Sequence, residues 1–386
     1  MIGPQISVCM IAKNEEKHIE ECLRRLKLYH YEIVLVDTGS TDGTLEIAAK
    51  YTDKIYHFDW INDFSAARNF ALDKASNDWV LSIDCDEYIE SIDEKMLSIL
   101  MEKHSKDVGQ ILIRNRFKQG SQTSIENVHV SRFFNKKYYH FVGAIHEQVE
   151  LRNTGPEILT NIPTPTQESP DYQSHLQYTK HEYPAGTPHS KQAYYAPITL
   201  LHVGYDGPEE EMRAKCLRNI SMLEKELEAS GPDSYIYYQL GQSCMKLKDY
   251  SKAYEWFNLG LSMDVDPAQN YVQTMVESYG YCMLELKKNE EALQLLNIYE
   301  VFSVRADFIF LMGLIYMNNG MFDKAIEEFV NSTAIEQFSV EGTNSYRANY
   351  NIGVIYECTG HLDEARKYYK RCGEFEPAKV RLREIK

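Results

Sequence analysis

Short, almost uninterrupted apolar runs that break abruptly into polar turns mark the first half of this chain. Ile6-Ser7-Val8-Cys9-Met10-Ile11-Ala12 gives way to Lys13-Asn14-Glu15-Glu16, and Glu32-Ile33-Val34-Leu35-Val36 runs into Asp37-Thr38-Gly39-Ser40-Thr41-Asp42-Gly43-Thr44. Trp79-Val80-Leu81-Ser82-Ile83 ends in Asp84-Cys85-Asp86-Glu87. Runs of this length with so few polar positions predict strands covered on both faces, as in a parallel sheet. Between the first two, Ile19, Leu23 and Leu26, with Cys22 beside them, recur at helical spacing over Glu16 to Leu28. Strand, helix, strand in that order predicts an α/β domain with a mixed, mainly parallel, Rossmann-like sheet. Thr41 or Asp42 is the expected N-cap of a helix at Leu45, and Ser65 that of a helix whose first turn presents Arg68.

The second half keeps a different rhythm. Gly241 and Ala253, Gly280 and Ala292, Gly313 and Ala325, and Gly353 and Ala365 are each separated by twelve positions. Tyr237, Leu240, Phe257, Tyr316, Phe329, Tyr356, Tyr369 and Pro377 stand around them. Small residues at one fixed spacing let paired helices approach closely, and this spacing is that of the tetratricopeptide unit. Four such repeats are expected over 233–386, in an all-α solenoid, after a connecting helix over 206–232. Residues 155–197, rich in Pro, Thr, Ser, Tyr and His, read either as a long connection or as a lid over the site.

Chemistry gathers where the apolar runs stop. Asp84 and Asp86 stand two apart at the end of the strand, so both side chains are expected to point the same way, toward one small cation. Hard oxygen ligands suit Mg2+ or Mn2+ carrying a diphosphate. The turn after Asp37 is neither a dinucleotide fingerprint nor a P-loop. Asp37 is therefore read as a strand-end acid able to accept from a uracil N–H or ribose hydroxyls in the crevice of an open sheet. Arg68 could meet a phosphate or stack on a base.

The formal net charge of −16 over 386 residues argues against a nucleic-acid partner. The chain has no basic segment leading into an apolar h-region and no apolar run long enough to span a bilayer, so a cytoplasmic protein is expected. Eight cysteines without a C-x-x-C or a Cys/His cluster are expected to be free, mostly buried thiols. Cys85 is expected to point away from the acids beside it and not to act as a nucleophile.

Ala12, Asn14 and Glu15 after the first run, Asp37 in D-T-G-S-T-D-G-T, Arg68-Asn69 in D-F-S-A-A-R-N, and Asp84-Cys85-Asp86 together resemble inverting family 2 glycosyltransferases of the GT-A fold. The resemblance covers about residues 1–205. It implies a UDP-sugar donor, with Asn14, Glu15, Asp37 and Arg68 holding the uridine, Ala12 beside them, Asp84 at the ribose and metal edge, and Asp86 on the metal. Arg132 and Phe133-Phe134, then Gly143-Ala144-Ile145-His146-Glu147, then His202-Val203-Gly204-Tyr205, narrow it to bacterial family 2 enzymes fused to tetratricopeptide repeats. That group includes peptide S-glycosyltransferases and protein O-glycosyltransferases.

The expected reaction is a single displacement at the anomeric carbon, by a hydroxyl or a thiol, with inversion. Metal and Arg68 would stabilise the leaving diphosphate. Glu147 is the leading base, oriented by His146, because no other acid lies in a motif on the acceptor side. His202 either completes the metal shell with Asp84 and Asp86 or is a structural donor at a strand end. The acceptor is expected to be a protein or peptide, with repeats that recognise it or form a homodimer; the alternatives are a cell-wall or polysaccharide acceptor, or a non-catalytic scaffold.

Overall fold

The computed structural model describes residues 3–119, 122–152, 193–204 and 209–385. The chain divides into two compact units. One comprises 1–123 and 128–206, and the other 124–127 and 207–386. Most of the segment 155–197, with its lid reading, and Tyr205 lie outside the described residues.

The first unit is built on β1 (Ile6–Ala12), α1 (Ile19–Leu26), β2 (Glu32–Asp37), α2 (Thr44–Ala48), β3 (Ile55–His57), α3 (Phe64–Lys74) and β4 (Trp79–Ser82). It continues with β5 (Glu87–Ile92), α4 (Glu94–Lys103), β6 (Val108–Gln119), β7 (Gln122–Asn135), β8 (Tyr139–Val142), β9 (Gln148–Leu151) and β10 (Ala193–His202). Eight strands form one mixed sheet in the order β3-β2-β1-β4-β7-β6-β10-β5, and β8 pairs with β9 separately. The pairs β1–β2, β1–β4, β2–β3 and β6–β10 are parallel, while β4–β7 and β5–β10 are antiparallel.

Alternate side chains of β1 and β2 enter cores on opposite faces. Val8, Met10 and Leu35 pack with Leu23 and Leu26 of α1, whereas Cys9, Val34 and Val36 pack with Ala71 and Leu72 of α3. That two-sided burial is why these strands read as continuous apolar runs. The register sets Ala12 against Asp37 and Asp37 against His57, so the carboxyl ends of the parallel strands open at one edge.

Three local expectations change. The helix carrying Arg68 is capped by Asp63, whose Oδ1 accepts from Ala66 N–H (2.9 Å) and from the hydroxyl of Ser65. At α2 the flanking residue is Gly43, and Asp42 accepts from Thr44 N–H (3.0 Å). Most consequential, β4 stops at Ser82. Asp84 to Glu87 is a turn, in which Glu87 N–H donates to Asp84 O (3.0 Å) and Glu87 Oε2 accepts from Asp84 N–H (2.8 Å).

In the second unit α5 (Glu209–Ser230) precedes helix pairs α6 (Ser234–Lys246) with α7 (Tyr250–Leu261), α8 (Asn270–Glu285) with α9 (Asn289–Ala292) and α10 (Tyr299–Phe302), α11 (Ala306–Asn318) with α12 (Phe322–Ser332), and α13 (Tyr346–Cys358) with α14 (Leu362–Arg371); α15 (Glu376–Glu384) follows. A methyl group on Gly241, Gly313 or Gly353 would come within 3 Å of the ring of Phe257, Phe329 or Tyr369, each sixteen positions onward. Gly280 meets Leu311 and Leu295 instead, and its second helix is broken by a 3-10 stretch over Leu293–Ile298. Ala253, Ala292, Ala325 and Ala365 are all fully buried. No helix among the described residues is long and apolar enough to cross a membrane.

Candidate functional site

The loops after β1 and β2 lock together. Asn14, in the left-handed region at φ 58°, donates its N–H to Ser40 Oγ (3.0 Å) and accepts from Thr41 N–H (2.8 Å). Glu15 N–H donates to Thr44 Oγ1 (2.7 Å). Asp37 is buried and accepts from the N–H groups of Gly39 (3.0 Å) and Ser40 (3.1 Å), with His57 Nδ1 3.7 Å away. Ala12, Asn14, Glu15 and Asp37 thus share the rim formed by the ends of β1 and β2. A carboxylate has about four lone-pair sites, so Asp37 keeps acceptor capacity beyond its own loop.

Arg68 lies deeper than the sequence suggested. It is 5% exposed, and each of its three guanidinium nitrogens has a protein acceptor: Nε on Glu147 Oε1, Nη1 on Ser82 Oγ (3.1 Å) and Nη2 on Asp84 Oδ1 (2.8 Å). Beside it, Asn69 brackets Phe141, donating to its carbonyl (2.8 Å) and accepting from its N–H (2.9 Å), and Phe64 N–H donates to Ala144 O (2.8 Å). These contacts hold the β8–β9 turn, and with it Glu147, against α3. Arg68 positions two carboxylates, and it is Arg68 that grips Glu147; His146, at φ 51°, precedes Glu147 in the same turn.

The turn at 84–87 sends its two aspartates apart. Asp84 faces Arg68 and, through Oδ2, Arg132 Nη2 (3.3 Å). Burial works to raise the Asp84 carboxyl, but the guanidiniums of Arg68 and then Arg132 overcome it and hold it well below the usual carboxylate range. Asp86 faces His202, with Oδ2 3.3 Å from Nε2. Glu87 is buried, and that burial, with Asp84 nearby, pushes its carboxyl up. The Cys85 side chain is buried near Ile11 O, and burial pushes its thiol up, which suits an inert core group.

Among the described residues, no three His, Cys, Asp or Glu side chains converge to hold a metal ion. The set Asp84, Asp86 and His202 is therefore not assembled: Asp84 faces Arg68 and Arg132, whereas Asp86 faces His202. Asp86 and His202 stand together as one carboxylate and one imidazole. The His202 ring sets Nδ1 2.9 Å from Asn115 Oδ1; with Nδ1–H donating, the Nε2 lone pair faces Asp86 Oδ2, and two acceptors so close require a positive charge or proton between them. The space beside them is kept open by Gly204, where a methyl group would collide with Asp86 Oδ2 and lie 2.7 Å from His202 Nε2. One carboxylate and one imidazole suit manganese better than magnesium.

A mixed sheet with its acids at the carboxyl edge, followed by helix-pair repeats, defines a GT-A transferase fold joined to a repeat solenoid. Comparison with known proteins agrees. Residues 7–154 match Glycosyl transferase family 2, and residues 234–266, 306–337 and 346–379 match the Tetratricopeptide repeat, leaving the second, broken pair unmatched. The chain carries a family 2 glycosyltransferase domain followed by tetratricopeptide repeats. It is 28% identical over 269 residues to a TPR repeat-containing protein of Synechococcus elongatus, covering 69% of this chain and 59% of that one. It is 30% identical over 132 residues to the lipopolysaccharide core biosynthesis glycosyltransferase LpsC of Rhizobium meliloti (33% and 48%). Over 85 residues it is 39% identical to the prophage-derived glycosyltransferase SunS of Bacillus subtilis (22% and 20%). The chain spans less than two thirds of the length of each of these curated relatives.

Ser82, Asn69, Asn115, Arg132 and Gly204 were not assigned roles from sequence. Arg132 and Gly204 lie in the quoted R-x-F and H-x-G motifs; Ser82 and Asn115 carry no local signal, since only strand pairing brings them to the site.

Proposed function

We propose that the chain is an inverting glycosyltransferase that moves a hexose or N-acetylhexosamine from a UDP-sugar to a Ser, Thr or Cys side chain of a protein or peptide. The observation that carries this reading is the chain Arg132–Asp84–Arg68–Glu147, which joins one acid of the 84–87 turn to a carboxylate on a separate turn, with the Asp86–His202 pair on the other side of the 84–87 turn. Uridine would lie along Ala12, Asn14, Glu15 and Asp37. Asp86 and His202 would hold Mn2+ or Mg2+, and when bound the ion would neutralise charge on the diphosphate.

Arg68 fixes Oε1 of Glu147 and leaves Oε2 to take the acceptor's proton as its oxygen or sulfur attacks the anomeric carbon. The bond to UDP breaks on the opposite face, giving inversion. Tetratricopeptide solenoids present extended concave surfaces, which supports a polypeptide acceptor. The name of the Rhizobium relative favours a second reading, a glycan acceptor. A nucleotide-sugar donor suits a cytoplasmic location, which is part of this proposal. The test is to incubate the full chain with Mn2+, a panel of UDP-sugars and acceptor candidates captured by the chain, and to follow intact masses. A mass gain of one hexose or N-acetylhexosamine on a protein supports the proposal; sugar appearing only on glycan acceptors supports the second reading.

A further inference from the structure

Two arginines reach the acid cluster, and they are not equivalent. Arg68 has an acceptor for every guanidinium nitrogen. Arg132 comes from β7, where the pairing of Phe133 with Leu81 brings it to the end of β4. Its side chain is 17% exposed, and its contact with Asp84 Oδ2 through Nη2 is long, at 3.3 Å. Nη1 is buried with no hydrogen-bond partner among the described residues. A guanidinium is always charged and offers five N–H donors in a rigid fork suited to phosphate. A buried donor without an acceptor is costly and rare in folded proteins, so its presence beside a candidate ligand site marks the place where an acceptor arrives.

We infer that Arg132 is the diphosphate-binding cation of this site, donating from Nη1 to a phosphate oxygen of the nucleotide sugar, while Arg68 only positions Asp84 and Glu147. The inference rests on the donor class proposed above. It separates the roles of the two arginines: Arg132 contacts ligand, Arg68 does not. It also gives the diphosphate positive charge from two directions, from Arg132 beside Asp84 and from the cation that the Asp86–His202 pair beyond the turn would hold.

The test measures Kd for UDP, GDP and uridine, each with Mn2+, by calorimetry on the full-length parent, Arg132→Met and Arg132→Lys. Loss of one charge-assisted contact corresponds to ~10- to 100-fold in affinity. Arg132→Met is expected to weaken the preferred diphosphate by that factor and leave uridine binding unchanged, and Arg132→Lys, which keeps a charge beside Asp84, to fall between. A role limited to neutralising Asp84 and Glu87 would weaken uridine and diphosphate alike, and that result overturns the inference. So does an Arg132→Met protein that binds the diphosphate as tightly as the parent, in which case the donor reading stands. A parent that binds neither UDP nor GDP overturns both.

Discussion

Replacing Arg68 by Met removes the cation that Glu147 and Asp84 share while keeping most of the side chain's volume. Breaking a buried ion pair from one side costs about 3–5 kcal/mol, because the remaining charge is left uncompensated. Two carboxylates are affected here, yet unequally: Glu147 is 9% exposed at its side chain, whereas Asp84 is 32% exposed and keeps Arg132. The expected loss is therefore about 3 kcal/mol, the low end of that range, and not twice it. For a domain of this size that corresponds to a fall in Tm of roughly 6–12 °C. Glu147→Gln, which leaves Arg68 on Asp84, should cost about 1–2 kcal/mol. The double variant should cost less than the sum by about 1 kcal/mol or more, since the two residues share one contact. The pH dependence has a definite sign. Asp84 titrates below its ordinary range in the folded chain, so its contribution is present above about pH 4 and is lost as pH falls further; the gap between parent and Arg68→Met should narrow below that value. Urea denaturation at pH 7.5 and at about pH 3, below the ordinary aspartate value, followed by tryptophan fluorescence, measures all four proteins. Strict additivity, or an Arg68→Met chain as stable as the parent, would refute the network.

Glu147→Gln should retain UDP binding and lower transfer to a hydroxyl acceptor by roughly 10²- to 10⁴-fold, with a smaller loss on a thiol acceptor that vanishes as pH rises; rates on Ser- and Cys-containing versions of one peptide across pH check this. Gly313→Ala should destabilise the third helix pair by about 1–3 kcal/mol through overpacking against Phe329, read as lost hydrogen-exchange protection in α11 and α12, whereas Gly320→Ala, at φ 71° with open space, should show only backbone strain. Burial pushes the Glu277 carboxyl up to about 8 against the pull of Arg305, with Asp307 adding to the rise. A carboxyl raised in this way contributes stability that is complete below the ordinary carboxylate range and is lost as pH rises from there to about 8, so Glu277→Gln should flatten the fall in stability over that window; an unchanged pH profile would contradict it.

The parallel strands could be read directly because burial on both faces leaves no polar position in Val8 to Met10 or Val34 to Val36. The rim residues Asn14 and Asp37 followed from the places where those runs stop. The turn at Asp84 to Glu87 could not be seen in the same way, because Ile83 continues the apolar pattern one residue past the last strand pairing and only the Asp84–Glu87 hydrogen bonds end it. Reading that turn as strand put both aspartates on one ligand, whereas the chain gives one to arginines and the other to His202. Arg68 was recognisable by its neighbours in sequence but not by its depth, which depends on Ser82 and on a carboxylate 79 positions away. In the repeats, glycine and alanine kept their spacing in the second unit although its second helix is broken, since the spacing records close approach and not helix continuity.

The most direct test of the account is calorimetric titration of UDP into the full-length chain with and without Mn2+, repeated with Asp86→Ala. The account predicts binding that is markedly tighter with Mn2+ in the parent, and a Mn2+ effect lost in Asp86→Ala while the fold, followed by circular dichroism, is kept. UDP binding that ignores Mn2+ in the parent, or a Mn2+ effect that survives in Asp86→Ala, would contradict it.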